Sequence, residues 1–171
     1  PHVFPKVPFD TLKDFASVGK IGDAALVLVA NPNVPVKSLQ EVIALSKTQP
    51  GGLSYGTSGT GGTPHIAGEL LAQRTGAKLQ HVPYKGGGQA LTDVIGGSIP
   101  LVYTAVAGAH GHVASGKVKG IAVSSARRSS ALPDVPTFAE LGVSDFEVNS
   151  WVGLLAPAQT PLAIVQRLNR E

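Results

Sequence analysis

A loop rich in Gly, Ser and Thr carries the residues best suited to hold an anion. An apolar run begins at Leu53, the loop covers residues 56–63, and a helical pattern follows Pro64. The first turn of a helix has N–H groups without intrahelical acceptors, and the helix dipole favours negative charge there. Glycines let the backbone approach a ligand, and hydroxyl groups add donors. The sequence therefore predicts an anion site made of backbone and hydroxyl groups.

The candidate ligand-binding residues lie in this loop and in the next glycine-rich loop. His65, in the first helical turn, either donates to the ligand or braces the loop. Tyr84 either forms an apolar wall with a hydroxyl group or packs beneath the loop, and Lys85 either supplies positive charge or lies in solvent. The candidates are Thr57, Ser58, Gly59, Thr60, Gly61, Gly62, Thr63, His65, Tyr84, Lys85 and Gly86.

One short pattern raises an enzymatic alternative. Gly52-x-Ser54-x-Gly56 matches the nucleophile elbow of serine hydrolases literally. That elbow needs its serine on a sharp turn, with a helix starting directly behind it. Ser54 instead falls inside the predicted strand, which favours a chance match. An α/β hydrolase-like enzyme using Ser54, or an anion-handling transferase, remains the alternative to a binding protein.

Cofactor and metal sites find little support in the other motifs. The glycine loop lacks the third glycine of the dinucleotide fingerprint, and the chain has no P-loop pattern. His110 and His112 offer two imidazoles without a carboxylate nearby in sequence, so exposed histidines are the simpler interpretation. No pair of carboxylates suggests general acid–base chemistry. We therefore expect a binding protein, not an enzyme, with no cofactor and no metal.

The composition is that of a globular chain with few charges. Of 171 residues, 43% are hydrophobic and 15% charged, and the net charge is +3. Basic residues do not alternate with aromatic ones, so no nucleic-acid partner is expected. No apolar stretch approaches the roughly 20 residues that span a bilayer, so we expect a chain that is not itself membrane-spanning. Without cysteine there are no disulfides and no thiolate chemistry.

Strand-like and helix-like segments alternate along the chain, which predicts an α/β fold with a mostly parallel sheet flanked by helices. The predicted strands cover 25–30, 53–55, 79–82, 99–104 and 120–124, and the predicted helices 39–47, 64–76, 89–95, 108–115 and 137–141. In open α/β sheets ligands bind beyond the carboxyl ends of the strands, where both glycine-rich loops fall. An extended run over 146–156 precedes a helix that reaches Glu171 without a cap, which indicates a truncated chain.

Several spaced motifs resemble one family along the whole chain. They are FDTLKDF (9–15), LSYGTSGTGGTPH (53–65), HVPYKGGG (81–88), GKVKGIAV (116–123), the segment 128–142, and SWVGLLAP (150–157). This order of motifs resembles the extracytoplasmic solute receptors of tripartite tricarboxylate transporters, the Bug-type (TctC-like) periplasmic binding proteins. The resemblance implies a periplasmic receptor of two α/β lobes that closes on a small carboxylate and delivers it to a membrane permease.

The resemblance also implies how the chain divides. Residues 23–149 would form lobe 2, a periplasmic-binding-protein type II-like lobe that binds the ligand. Residues 1–22 would be a flanking segment of lobe 1 and the hinge, and residues 150–171 a return strand and helix start of an incomplete first lobe. Many members have an Asp near the end of the strand predicted over 99–104, where this chain has Thr104, a further candidate ligand-binding residue, and no acid. The missing acid favours a plain carboxylic acid over an amino acid. A sensory domain that binds the same acids without transport is a further alternative.

Overall fold

The computed structural model describes residues 6–171, which form two compact units. The larger unit is Ala24–Ser150, and the smaller unit combines the described residues up to Asp23 with Trp151–Glu171. The elements are β1 (Phe15–Ala30), α1 (Leu39–Thr48), β2 (Leu53–Thr57), α2 (Thr63–Thr75), β3 (Leu79–Pro83), α3 (Gly87–Gly96), β4 (Leu101–Ala105), α4 (Val106–Ala114), β5 (Lys119–Val123), β6 (Asn149–Pro157) and α5 (Leu162–Arg170).

The sheet of the larger unit has the strand order β3-β2-β4-β1-β5. Strand β2 is parallel to both β3 and β4, whereas β1 is antiparallel to both β4 and β5. Four strands therefore run in one direction, as predicted, and β1 runs against them, so that the sheet is mixed. No helix of the larger unit precedes β1, so the crossover geometry that makes successive strands parallel does not constrain it.

Both faces of this sheet are buried. Successive side chains of a strand point to opposite faces, and β1 contributes to two cores in this way. Leu26 and Leu28 pack in the core beneath α1 and α2, and Val27 and Val29 pack in the core beneath α3 and α4. This arrangement explains why the strands read as continuous apolar runs without polar alternation.

The predicted helix over 137–141 is wrong, because this segment is a single turn. Thr137 forms an isolated parallel bridge with Val123. The N–H of Thr137 donates to Glu140 Oε2 at 2.7 Å, and the N–H of Glu140 donates to Thr137 Oγ1 at 3.1 Å. These are the bonds of a helix start, but Gly142 turns the chain away at φ +86° before a second turn forms.

The smaller unit is a strand pair with one helix. The first part of β1 pairs with β6, and Val18, Ala156 and Val165 form a small core against α5. The strand predicted over 25–30 thus begins earlier, at Phe15. Among residues 6–171, no helix is both long enough and apolar enough to cross a membrane.

Candidate anion-binding site

Three helices of the larger unit begin at one edge of the sheet. Strands β2, β3 and β4 run in the same direction, so their carboxyl ends lie together at that edge. Each strand is followed by a helix, which begins at Thr63, Gly87 or Val106. The first-turn N–H groups and dipoles of α2, α3 and α4 therefore favour negative charge at this edge.

The loop between β2 and α2 uses some of its backbone donors internally. Gly59 N–H donates to Thr57 Oγ1 at 3.2 Å, and Gly61 N–H donates to His65 Nδ1 at 3.0 Å. Gly61 has φ +77°, a conformation that residues with a Cβ rarely adopt. Within residues 6–171, no acceptor takes the N–H groups of Ser58, Thr60, Gly62 and Thr63.

Of the hydroxyl groups of this loop, one is hydrogen-bonded within the protein and the others have no partner among the described residues. Thr57 is buried, and its Oγ1 lies 3.1 Å from Gly59 O and 2.7 Å from His81 Nε2, so it is occupied within the protein. Ser58 and Thr60 are exposed and Thr63 is half-buried. None of these three hydroxyls has a hydrogen-bond partner in the described part of the chain. The loop therefore keeps both N–H and O–H donors for a ligand.

A cluster of aromatic and titratable side chains lies beneath the loop. The rings of His65 and His81 stack with centroids 3.9 Å apart and an interplanar angle of 25°. The Tyr55 hydroxyl donates to Glu69 Oε1 at 2.8 Å, and His65 Nε2 lies 3.7 Å from the same oxygen. A Cβ on Gly68 would lie 2.2 Å from the Tyr55 ring, so only glycine lets α2 approach β2 this closely.

Tyr55, Glu69 and His81 are site-supporting residues that sequence reasoning missed. Two signals point to them in retrospect. Tyr55 is opposite His81 in the parallel register of β2 and β3, and Glu69 follows His65 by four residues on α2. The first signal depends on knowing which strands are neighbours.

The cluster shifts the ionisation of two of its members. Burial and the nearby charge of His65 lower the pKa of His81, and Glu69 opposes this shift. Burial and the hydrogen bond to Glu69 raise the pKa of Tyr55 well above its usual value. His81 and Tyr55 therefore favour their uncharged forms.

The β3–α3 loop borders the first loop through Tyr84. Tyr84 N–H donates to Thr57 O at 3.0 Å, while its hydroxyl donates to Asp93 Oδ2 at 2.8 Å and is occupied there. Burial and that hydrogen bond raise the pKa of Tyr84. Lys85 is exposed, and Gly86 is the N-cap residue of α3.

Thr104 lies against the start of α3. It is buried near the end of β4, and its Oγ1 lies 3.1 Å from the position that a Cβ on Gly87 would take. Its hydroxyl has no hydrogen-bond partner within the described residues. Thr104 therefore lies at the edge where the helices begin, beside α3.

The alternative sites are not assembled by the fold. Ser54 lies inside β2, opposite Gln80, and not on a strand-to-helix turn, so the nucleophile-elbow hypothesis is wrong. His110 is exposed on α4, with Nδ1 3.0 Å from Ala107 O. Within residues 6–171, no group of three His, Asp or Glu side chains is placed to hold a metal ion.

A groove of about 320 Å³ lies at the opposite edge of the sheet. It is lined by residues that include Asn31, Leu53 and Pro100. Asn31 Nδ2 donates to Val94 O at 2.6 Å, and its Oδ1 accepts from Asn33 N–H at 2.8 Å. The buried amide of this groove is thus occupied within the protein.

Comparison with known proteins gives consistent matches. The family described as "Tripartite tricarboxylate transporter family receptor" matches residues 1–171. Protein BugT of Bordetella pertussis is 36% identical over 168 residues, which cover 98% of this chain and 52% of BugT. The chain spans about half the length of the curated relatives it matches.

Two similar solved structures are described together with a ligand. An R. palustris protein described with adipate has a TM-score of 0.92 at 33% identity, over 98% of this chain and 56% of that chain. MatC from Rhodopseudomonas palustris, described with bound malate, has a TM-score of 0.89 at 30% identity, over 98% of this chain and 57% of that chain. These matches confirm the predicted α/β fold of a helix-flanked sheet.

Proposed function

Since the chain belongs to the tripartite tricarboxylate transporter receptor family, we propose that it captures a small carboxylate as part of an extracytoplasmic receptor. The resemblance seen in the spaced motifs is thereby confirmed, and the ligand remains a proposal. The observation that carries the proposal is the loop before α2, whose N–H groups at Ser58, Thr60, Gly62 and Thr63 have no acceptor among the described residues. The adipate and malate of the similar structures support the same ligand class.

The loop suits one carboxylate group for physical reasons. Hydrogen bonds to a carboxylate are roughly twice as strong as bonds between neutral groups. Donors held by the backbone at a helix start lose little freedom on binding, so they select by geometry. Gly59 and Gly61 shape the loop, and the hydroxyls of Ser58, Thr60 and Thr63 complete the donor set.

The neighbouring candidates fill secondary roles in this proposal. Lys85 is the cation of the β3–α3 loop, and Gly86 exposes the first turn of α3. Thr104 offers a neutral hydroxyl near the edge, which suits a plain acid better than an ammonium group. Tyr84 and Thr57 hold the two loops together, since the Tyr84 N–H donates to Thr57 O.

The whole receptor would be a two-lobed clamp. We assign residues 23–149 to the ligand-binding lobe, and residues 1–22 and 150–171 to the other lobe and the hinge. Closure of the lobes would bury the acid, and a membrane permease would recognise the closed form in the periplasm. The support for this assignment is the family membership together with the division of the chain into two compact units.

Thermal-shift measurement and calorimetry with a panel of carboxylic acids test the proposal. The panel includes adipate, malate and tricarboxylates, each paired with a 2-amino analogue where one exists. We expect stabilisation by at least one acid, and tighter binding of the plain acid than of its amino analogue. No stabilisation by any acid in the panel would contradict the proposal.

A matched pair of variants locates the binding. Thr60→Val removes a loop hydroxyl, and Thr48→Val removes an exposed hydroxyl at the far end of α1. Loss of one hydrogen bond to a charged group costs about 1.5–3 kcal/mol, so Thr60→Val should weaken binding about tenfold or more. Thr48→Val should leave the affinity unchanged. Equal effects of the two substitutions would place the acid elsewhere.

A further inference from the structure

We propose that His65 and His81 act as a positioning pair, which holds the anion loop at two points through their ring nitrogens. The proposal rests on the proposed carboxylate function and adds a role for the cluster beneath the loop. In it, neither histidine contacts the ligand as a cation. Both act as uncharged rings that fix the backbone donors in place.

The first point of attachment is Gly61. Its N–H donates to His65 Nδ1 at 3.0 Å, so this nitrogen must carry a lone pair and the proton of the neutral ring lies on Nε2. Gly61 lies within the loop at φ +77°, and among the described residues its backbone has no other hydrogen bond. The bond therefore ties the middle of the loop to the first turn of α2.

The second point of attachment is Thr57. His81 Nε2 lies 2.7 Å from Thr57 Oγ1, and the same oxygen contacts Gly59 N at 3.2 Å and Gly59 O at 3.1 Å. The start of the loop is thus tied to β3 through a buried hydroxyl. With both ends defined, the N–H groups of Ser58 and Thr60 stay without a protein acceptor between them.

The stacking of the two rings couples the attachments. With ring centroids 3.9 Å apart, a rotation of either imidazole displaces the other, and two protonated rings at this distance repel each other. The titratable groups facing the pair are Glu69 from α2, 3.7 Å from His65 Nε2, and Tyr55 from β2, whose ring centroid is 5.4 Å from that of His81. Glu69 is shared with the Tyr55 hydroxyl, so the network braces the rings on both sides.

The direction of the pH effect on affinity distinguishes this positioning role from direct attraction between a charged histidine and the carboxylate. Protonation of His65 places a hydrogen on Nδ1, which then accepts no bond from Gly61 N–H. Acidification should therefore weaken carboxylate binding although it adds a positive charge. A histidine that attracted the carboxylate by its charge would give the opposite slope.

Amide substitutions at the two positions test the geometry. A side-chain amide of Asn reaches the position of Nδ1, and that of Gln reaches the position of Nε2. His65→Asn and His81→Gln should therefore keep the affinity for adipate or malate within about threefold, whereas His65→Gln and His81→Asn should lose about tenfold, equivalent to about 1.4 kcal/mol. All four variants carry the same neutral side-chain amide, and circular dichroism checks that each of them is folded.

Two further readouts complete the test. Amide hydrogen exchange at Gly61 should be slow in the wild type and in His65→Asn, and faster in His65→Gln, with no ligand present. Acidification should weaken binding more in the wild type than in His65→Asn, since the amide takes up no proton. Equal effects of Asn and Gln at both positions, or tighter binding on acidification, would overturn the positioning role. A wild type that protects Gly61 but binds no acid would instead overturn the proposed function alone.

Discussion

The environment of His81 links the pKa of this residue to the stability of the fold. Burial and the charge of His65 lower its pKa below the ordinary value of 6.5, against the opposing effect of Glu69. Between the folded and unfolded pKa values the unfolded chain binds more protons, so the free energy of unfolding rises with pH there. The stability contributed by neutral His81 is complete above the unfolded value and is lost as the pH falls through the folded one.

The corresponding prediction concerns the pH dependence of stability. In urea unfolding experiments, we expect the wild-type free energy of unfolding to decrease as the pH is lowered from about 7.5 to about 5.5. His81→Gln should reduce this slope, because the amide cannot take up a proton. His110→Gln, at an exposed position on α4, is the control and should leave the slope as it is. Identical slopes in all three proteins would contradict a neutral, half-buried His81.

At this scale, part of the candidate site could be predicted from the sequence. The small residues before Pro64 identify a loop of backbone donors, because local chain geometry alone creates them. The role of His65 stayed open between donating to a ligand and bracing the loop, and the 3.0 Å contact with Gly61 supports bracing. Tyr55 and His81 could not be predicted, since their proximity depends on the pairing of β2 with β3.

Gly68 sets the distance between α2 and the sheet. A Cβ at this position would lie 2.2 Å from the Tyr55 ring, which is shorter than any permitted distance between two non-bonded carbon atoms. Overpacking of a core typically costs 1–3 kcal/mol, so we expect Gly68→Ala to lower the free energy of unfolding by about that amount. The same substitution should weaken carboxylate binding, because the Tyr55 hydroxyl contacts His65 O in the first turn of α2 at 3.4 Å.

Gly111→Ala is the matched control for this prediction. Gly111 is exposed on α4, and a Cβ there meets nothing within 4 Å. Because alanine favours the helical backbone, this substitution should raise the free energy of unfolding by roughly 0.5–1 kcal/mol. Chemical denaturation of both variants provides the measurement, and a stabilised Gly68→Ala would show that α2 can move away from β2 at no cost.

The elements could be predicted where local signals agree with the tertiary structure. The apolar run 25–30 identifies the buried part of β1, but its first part, 15–24, is mixed in polarity and becomes a strand only by pairing with β6. The direction of β1 was likewise not predictable, because alternation of strands and helices leaves the path of the first strand undefined. At 137–141, the helix-start bonds of Thr137 form without a helix behind them.

At the scale of the whole molecule, the two units differ in how many large apolar side chains they expose. Within the described residues, Ile66 is the one large hydrophobic side chain exposed in the larger unit, and all the others belong to the smaller unit. Trp151 is 66% exposed and Leu155 is 48% exposed. Ala156 packs with Val165 of α5, so alternation puts Trp151 and Leu155 on the opposite face of β6, where no other described element of this unit covers them.

An uncovered apolar strand face of this kind favours association in water. We therefore predict that the 171-residue chain self-associates, with an average mass in sedimentation equilibrium that rises with concentration. The double substitution Trp151→Ser with Leu155→Ser should shift the association midpoint at least tenfold towards higher concentration, since each buried large side chain contributes about 1.5–3 kcal/mol. Ile66→Ser removes one exposed apolar side chain from the larger unit and should leave the association unchanged. If the double variant and Ile66→Ser behaved alike, this face of β6 would not be the surface that associates.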